Sequence, residues 1–130
     1  MPRAYTIATA ALTLGISPKW LDNTLSHYKV AGVVQEKQGV ARRISVEGLL
    51  LLTVTLLFTT ELGLATAKAI ELAKTVIAAN GAFNFRSGMR IKLDLENLRT
   101  EILSQLERAV EVAPLPRRGR PPKNTTGRLD

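Results

Sequence analysis

The sequence predicts a mainly α-helical chain with two short β-hairpins and a disordered basic tail, and three observations carry that expectation. Thr6, Ser17, Ser45 and Asp94 each stand immediately before an apolar run of helical period, where such side chains cap the unpaired N–H groups of a helix start. Two other segments alternate apolar and polar residues around a glycine, which is the period of paired strands. From Pro114 onward the apolar pattern ends and Pro, Arg and Gly take over, a composition that cannot bury enough surface to fold alone.

In chain order, Thr6 caps a short helix over Ile7 to Leu14, and Gly15 suits its end. Ser17 and Pro18 restart a helix that runs to about Tyr28 with Leu21, Leu25 and Tyr28 on one face, because Ser caps and Pro is favoured at the first helical position. Val33-Val34, a polar turn containing Gly39, and Val40 to Ile44 predict a hairpin. Ser45 opens a helix ending near Gly63, with Leu49 to Leu52, Val54 and Leu56 to Phe58 covering nearly every side. A helix apolar all round must be buried on more than one face, so contact with a second subunit is expected. Ala65 to Ala79 gives an amphipathic helix stopped by Asn80-Gly81. Phe83 and Phe85, a two-residue Ser87-Gly88 turn, then Met89, Ile91 and Leu93 predict the second hairpin. Asp94 caps a last helix with the stripe Leu95, Leu98, Ile102, Leu106, Ala109 and Val110. The expected division is 1–80, 81–113 and a tail of 114–130.

The formal charge of +7 and pI near 10.3 favour polyanionic partners. That charge sits at the ends. Residues 1 to 43 carry six Lys/Arg against Asp22 and Glu36, net +4; residues 44 to 113 carry seven against eight acids, net −1; the tail carries five against Asp130, net +4. There is no cysteine, and His27 is the single histidine, so a catalytic triad or a metal site lacks its residues. No catalytic role, metal or cofactor is expected. The uncharged run Gly48 to Thr60 is shorter than the roughly 20 residues of a bilayer span. The N-terminal AYTIATAALTLG is broken by threonines and followed by no convincing cleavage site. A cytoplasmic, nucleoid-associated protein without membrane attachment is expected.

Two short helices joined by Gly15-Ile16-Ser17 have the sequence form of a helix-turn-helix. Tyr5-Thr6-Ile7, the alanines before Gly15-Ile16-Ser17, Lys19 and Leu21, Gly32, then Arg42-Arg43-Ile44-Ser45 and the Leu-rich helix together resemble the MerR-type winged-helix DNA-binding domain. The resemblance covers residues 5 to about 79. It implies that the helix from Pro18 to Tyr28 enters the major groove and that the wing around Arg42 touches the DNA backbone. The chain departs from the family at Asp22-Asn23-Thr24, where an Arg-Tyr pair is typical, and it lacks the cysteines of the metal-sensing members.

The residues independently allow this chemistry. Lys19, Asn23, Ser26 and His27, with Ser17 at the helix start, lie away from Leu21 and Leu25. An Asn can pair bidentately with adenine, and Lys favours guanine or phosphate. The blander reading is a solvated helix face, with Trp20 a packing residue. Arg42 and Arg43 at the hairpin's return are placed to meet phosphates. In the tail, Arg118-Gly119-Arg120-Pro121, flanked by Arg117 and Lys123, resembles an AT-hook. A Gly lets the backbone approach the floor of an A·T minor groove, Pro keeps the chain extended, and Arg reaches along the groove. Leu95, Leu98, Ile102, Leu106 and Val110 are expected to form a homodimer interface. The expected function is therefore a DNA-binding transcriptional regulator with A·T-rich flanks at its site, or a nucleoid or phage-recombination accessory. The rival is an antitoxin or adaptor that binds a protein partner through residues 64–113.

Overall fold

Helices begin where the capping side chains stand. In the computed structural model, which describes residues 4–35 and 42–112, Thr6, Ser17, Ser45 and Asp94 each accept the N–H three residues on: Thr9, Trp20, Gly48 and Asn97 at 3.2, 3.0, 3.2 and 3.0 Å. The elements are β1 (Ala4–Thr6), α1 (Ile7–Leu14), α2 (Pro18–His27), β2 (Val33–Val34), β3 (Arg43–Ser45), α3 (Val46–Leu62), α4 (Thr66–Ala78), β4 (Ala82–Asn84), β5 (Arg90–Lys92) and α5 (Leu95–Val112). The fold is mainly helical, as expected, with two small antiparallel sheets. The first hairpin's turn and the whole basic tail, including Arg117, Arg118, Gly119, Arg120, Pro121 and Lys123, lie outside the described residues.

The first sheet holds a strand that the periodicity did not predict. β3 is central, with β1 on one side (Tyr5 opposite Ile44) and β2 on the other (Val33 opposite Ile44), and Ile44 is fully buried. The loop between α2 and β2 is wedged against the start of α3. Ser45 N–H donates to Gly32 O at 2.9 Å. A Cβ on Gly32, which sits at φ +89°, would lie 2.5 Å from Ser45 Oγ and 2.6 Å from the Gly48 nitrogen, and one on Gly48 would lie 2.9 Å from Ile44 Cγ2. Neither position has room for a side chain.

The second hairpin turns differently from expectation. Its loop is the three-residue 3₁₀ turn Arg86–Gly88, closed by Phe85 N–H donating to Met89 O at 2.6 Å, rather than the two-residue Ser87-Gly88 turn. Parity explains the difference. The observed register sets Phe83 opposite Ile91, whereas a two-residue loop would set Phe83 opposite Lys92 and mix the two faces of the sheet. Gly88 at φ +79° supplies the left-handed residue that such three-residue loops require.

Most of the apolar residues assigned to contact with a second subunit are covered within the chain itself. Gly48 to Leu52, Val54, Thr55 and Phe58 of α3 are all buried within the one chain, chiefly by α4, with α5, β3 and α1 completing the cover. Leu95, Ile102 and Leu106 are 7%, 5% and 3% exposed and Leu98 is half-buried, because α5 packs on α1 and α3. Leu95, Ile102 and Leu106 face their own core, Leu98 lines a groove at its edge, and of the expected interface stripe Val110 stands out, at 49% exposure. One core cluster joins Ala10, Leu21, Ile44, Leu50, Ala73 and Leu106, so residues 81–112 share the core of 1–80. Arg99 braces α5 to the first turn of α3, its Nε and Nη2 donating to Glu47 at 3.2 and 3.3 Å, and this hydrogen-bonded carboxylate raises the guanidinium pKa.

Gly32→Ala is expected to cost more stability than Gly63→Ala. Both sites have positive φ, but nothing lies within 4 Å of a Cβ at Gly63. Backbone strain alone costs about 1–3 kcal/mol at either site, and the Gly32 variant adds the clash with Ser45 and Gly48. Urea denaturation of the two variants checks this, and equal losses would refute the steric argument.

Candidate nucleic-acid interface

Helix α2 has one side in the core and one in water. Leu21, Thr24 and Leu25 are buried, while Lys19, Asn23, Ser26 and His27 are exposed; at 100° per residue these four fall within one stripe about 100° wide. The helix is oriented by α1, against which it packs, and by the turn between them. That turn is closed by Ile16 N–H donating to Ala11 O at 3.0 Å and Gly15 N–H to Leu12 O at 3.2 Å, the paired bonds of a Schellman motif. Ser17 serves as the cap of α2, its Oγ accepting from Trp20 N–H. Trp20 itself is half-buried and packs against the core.

Arg42 is engaged within the protein. Its Nη1 lies 2.8 Å from Asp22 Oδ1 and its Nη2 donates to Ser26 Oγ at 3.2 Å, while Ser26 Oγ donates back to the Asp22 carbonyl at 3.0 Å. The Arg42 side chain is 23% exposed, so it acts as a strut from the start of β3 to α2 before it can reach any external phosphate. Arg43, one residue on, is exposed and has no ion-pair partner among the described residues. His27 Nδ1 lies 2.9 Å from the Asn23 carbonyl; a carbonyl only accepts, so Nδ1 carries the proton, and Nε2 has no partner among the described residues.

Two further features complete the inventory. A groove of about 240 Å³ between α1, α3 and α5 is lined by Leu14, Thr53, Leu56, Leu57 and Leu98 among others, and the buried Thr53 hydroxyl has no hydrogen-bond partner. Among the described residues no group of three or more His, Cys, Asp or Glu could hold a metal ion, and no helix is long and apolar enough to cross a membrane. The Asp22–Arg42 pair escaped sequence reasoning. Asp22 and Ser26, four residues apart, announce a shared helix face, but nothing in a linear reading brings a residue twenty positions later against it.

No protein-family model, curated protein or solved structure matches the chain.

The Asp22–Arg42 strut is a partly exposed ion pair, a class worth about 0–1 kcal/mol and weakened by salt. A double-mutant cycle with Asp22→Ala and Arg42→Ala, read by urea denaturation, is expected to give a measurable coupling of up to about 1 kcal/mol that shrinks in high salt. Zero coupling at low salt would show that the pair has no structural weight.

Proposed function

We propose that the chain binds duplex DNA as a small winged helix-turn-helix protein of MerR type and serves as a transcriptional regulator without enzymatic activity. The observation that carries this reading is the exposed stripe Lys19, Asn23, Ser26 and His27 on a helix whose opposite face is held in the core. It lies within an N-terminal stretch of net charge +4. In this reading α2 enters the major groove. Asn23 pairs with adenine, Lys19 with guanine or phosphate, and His27 meets the flanking backbone or base edges, while the Ser26 hydroxyl stays engaged by Arg42 and the Asp22 carbonyl. Arg43 takes a phosphate, and Arg42 keeps α2 and β3 at a fixed angle through Asp22 and Ser26. The tail Arg117, Arg118, Gly119, Arg120, Pro121 and Lys123 follows an adjacent A·T-rich minor groove.

The protein is proposed to act as a homodimer through an exposed edge of α5 that keeps Val110 of the expected stripe and adds Leu103 in place of the stripe's buried members. Leu103 and Val110, seven residues apart and both 49% exposed, share a surface hollow with Tyr5 of β1. A two-fold pairing there would present two α2 helices to an inverted repeat.

Genome-wide binding followed by footprinting identifies the site, and titration of duplexes then tests the residues. Lys19→Ala and Asn23→Ala are expected to reduce discrimination between cognate and random duplex by about 1–3 kcal/mol each, and a chain ending at Ala113 to lose its preference for A·T-rich flanks. Equal losses on cognate and random duplex would move Asn23 to the backbone contacts, and a wild-type chain that binds no duplex at low salt ends the proposal.

Leu103→Asp with Val110→Asp is expected to yield a folded monomer in sedimentation, whereas Ile102→Asp, placed in the core, should unfold the chain. A wild type that sediments as a monomer at micromolar concentration would remove the dimer.

A further inference from the structure

The second hairpin carries a charge asymmetry that the reading of α2 leaves unused. From Leu72 to Leu93 the chain contains Lys74, Arg86, Arg90 and Lys92 and no carboxylate. Lys74 pairs with Glu71 at 3.8 Å; the other three have no ion-pair partner among the described residues. Elsewhere on the C-terminal half, cations and acids interleave, as where Arg99 meets both Glu47 and Glu96.

Register decides where the three unpaired cations stand. Phe83, Ile91 and Leu93 pack against the core, which turns Ala82, Asn84, Arg90 and Lys92 to the outer face, all of them exposed. Arg86 is exposed in the turn between the strands. Arg90 Nε donates across the strands to Asn84 Oδ1 at 2.8 Å. That bond orients the guanidinium and leaves its two terminal nitrogens without partners among the described residues. The base of the hairpin is tight: Leu93 N–H donates to Gly81 O at 2.6 Å, and a Cβ on Gly81 would lie 2.4 Å from Leu93 O. The cations are therefore presented on an anchored element.

An oriented guanidinium with free terminal nitrogens, flanked by two further cations, suits phosphate oxygens. A protein partner would call for a buried apolar or aromatic centre in its interface, and the outer face offers only Ala82. An anionic membrane would call for apolar anchors, and exposed Met89 at the turn is the single large apolar side chain there. We propose that the outer face of the β4–β5 hairpin is a second contact to the DNA phosphate backbone, blind to sequence. The proposal rests on the reading that α2 binds duplex DNA.

The test is the salt dependence of duplex binding by the full chain and by the triple variant Arg86→Gln, Arg90→Gln, Lys92→Gln. Each phosphate contact contributes about 0.9 to the slope of log affinity against log salt, so the variant's slope should be shallower by up to about 2.7. Its affinity should fall by the same factor on cognate and random duplex, with the melting curve unchanged. Should the triple variant fail to fold, Arg86→Gln alone, in the exposed turn, is expected to flatten the slope by about 0.9. An unchanged slope in a folded variant, with wild-type binding intact, overturns the hairpin contact and leaves the reading of α2 standing. Loss of binding to phosphatidylserine vesicles without loss on duplex also overturns it, in favour of a membrane surface. A wild-type chain that binds no duplex removes both readings together.

Discussion

Gly32 lies so close to Ser45 and Gly48 that it cannot carry a β-carbon, Gly48 in turn is crowded by Ile44 and Ala31, and much of the N-terminal half is arranged by that approach. The chain leaving α2 is pressed onto the first turn of α3, with Ser45 between them donating its N–H to the Gly32 carbonyl and accepting the Gly48 N–H on its hydroxyl oxygen. Because Ser45 is also the last residue of β3, the same contact fixes the central strand of the sheet. Helix α2, the sheet and α3 therefore behave as one unit, and the direction of the exposed face of α2 follows from two missing side chains elsewhere. The strut from Arg42 to Asp22 and Ser26 reinforces that angle from the opposite side.

The second organising element is the apolar helix α3. A helix without a polar face needs several neighbours, and one chain supplies most of them by folding α4 back along it and laying α5 across it and α1, leaving Leu56 and Leu57 at the edge of the groove. Thr55, fully buried at its centre, is tolerated because its hydroxyl donates to the Leu51 carbonyl at 2.8 Å. Helices α3, α4 and α5 together carry more acids than bases, whereas α2 with its following strands, and the second hairpin, carry unpaired cations. The fold thus separates a mildly acidic scaffold from two positively charged projections.

Much of the secondary structure was legible because local chemistry fixes it. All four side-chain caps stand at residues whose type announces them, and Gly15 and Gly63 end their helices where the apolar period stops. Strand β1 was not legible, since three residues give no measurable period and their pairing with β3 spans forty positions. The hairpin loop was misjudged by one residue because Ser87-Gly88 is a good turn in isolation, and only the facing of Phe83 and Ile91 across the sheet sets the count. The stripe on α5 announces an apolar face, but periodicity does not say against what it packs: Leu95, Ile102 and Leu106 meet the chain's own core, and Val110 stays exposed. At the candidate interface the exposed positions of α2 followed from helical spacing, while the engagement of Arg42 by Asp22 depended on tertiary approach.

Helix α1 touches both α2 and α5, so the first helix of the chain rests on the last. Such an arrangement resists fraying from a single end, because each of the two helices covers part of the other. The two terminal helices form one cooperative opening unit in the sense that hydrogen exchange would detect. Anything that holds α5 therefore also quiets the helix on which α2 leans.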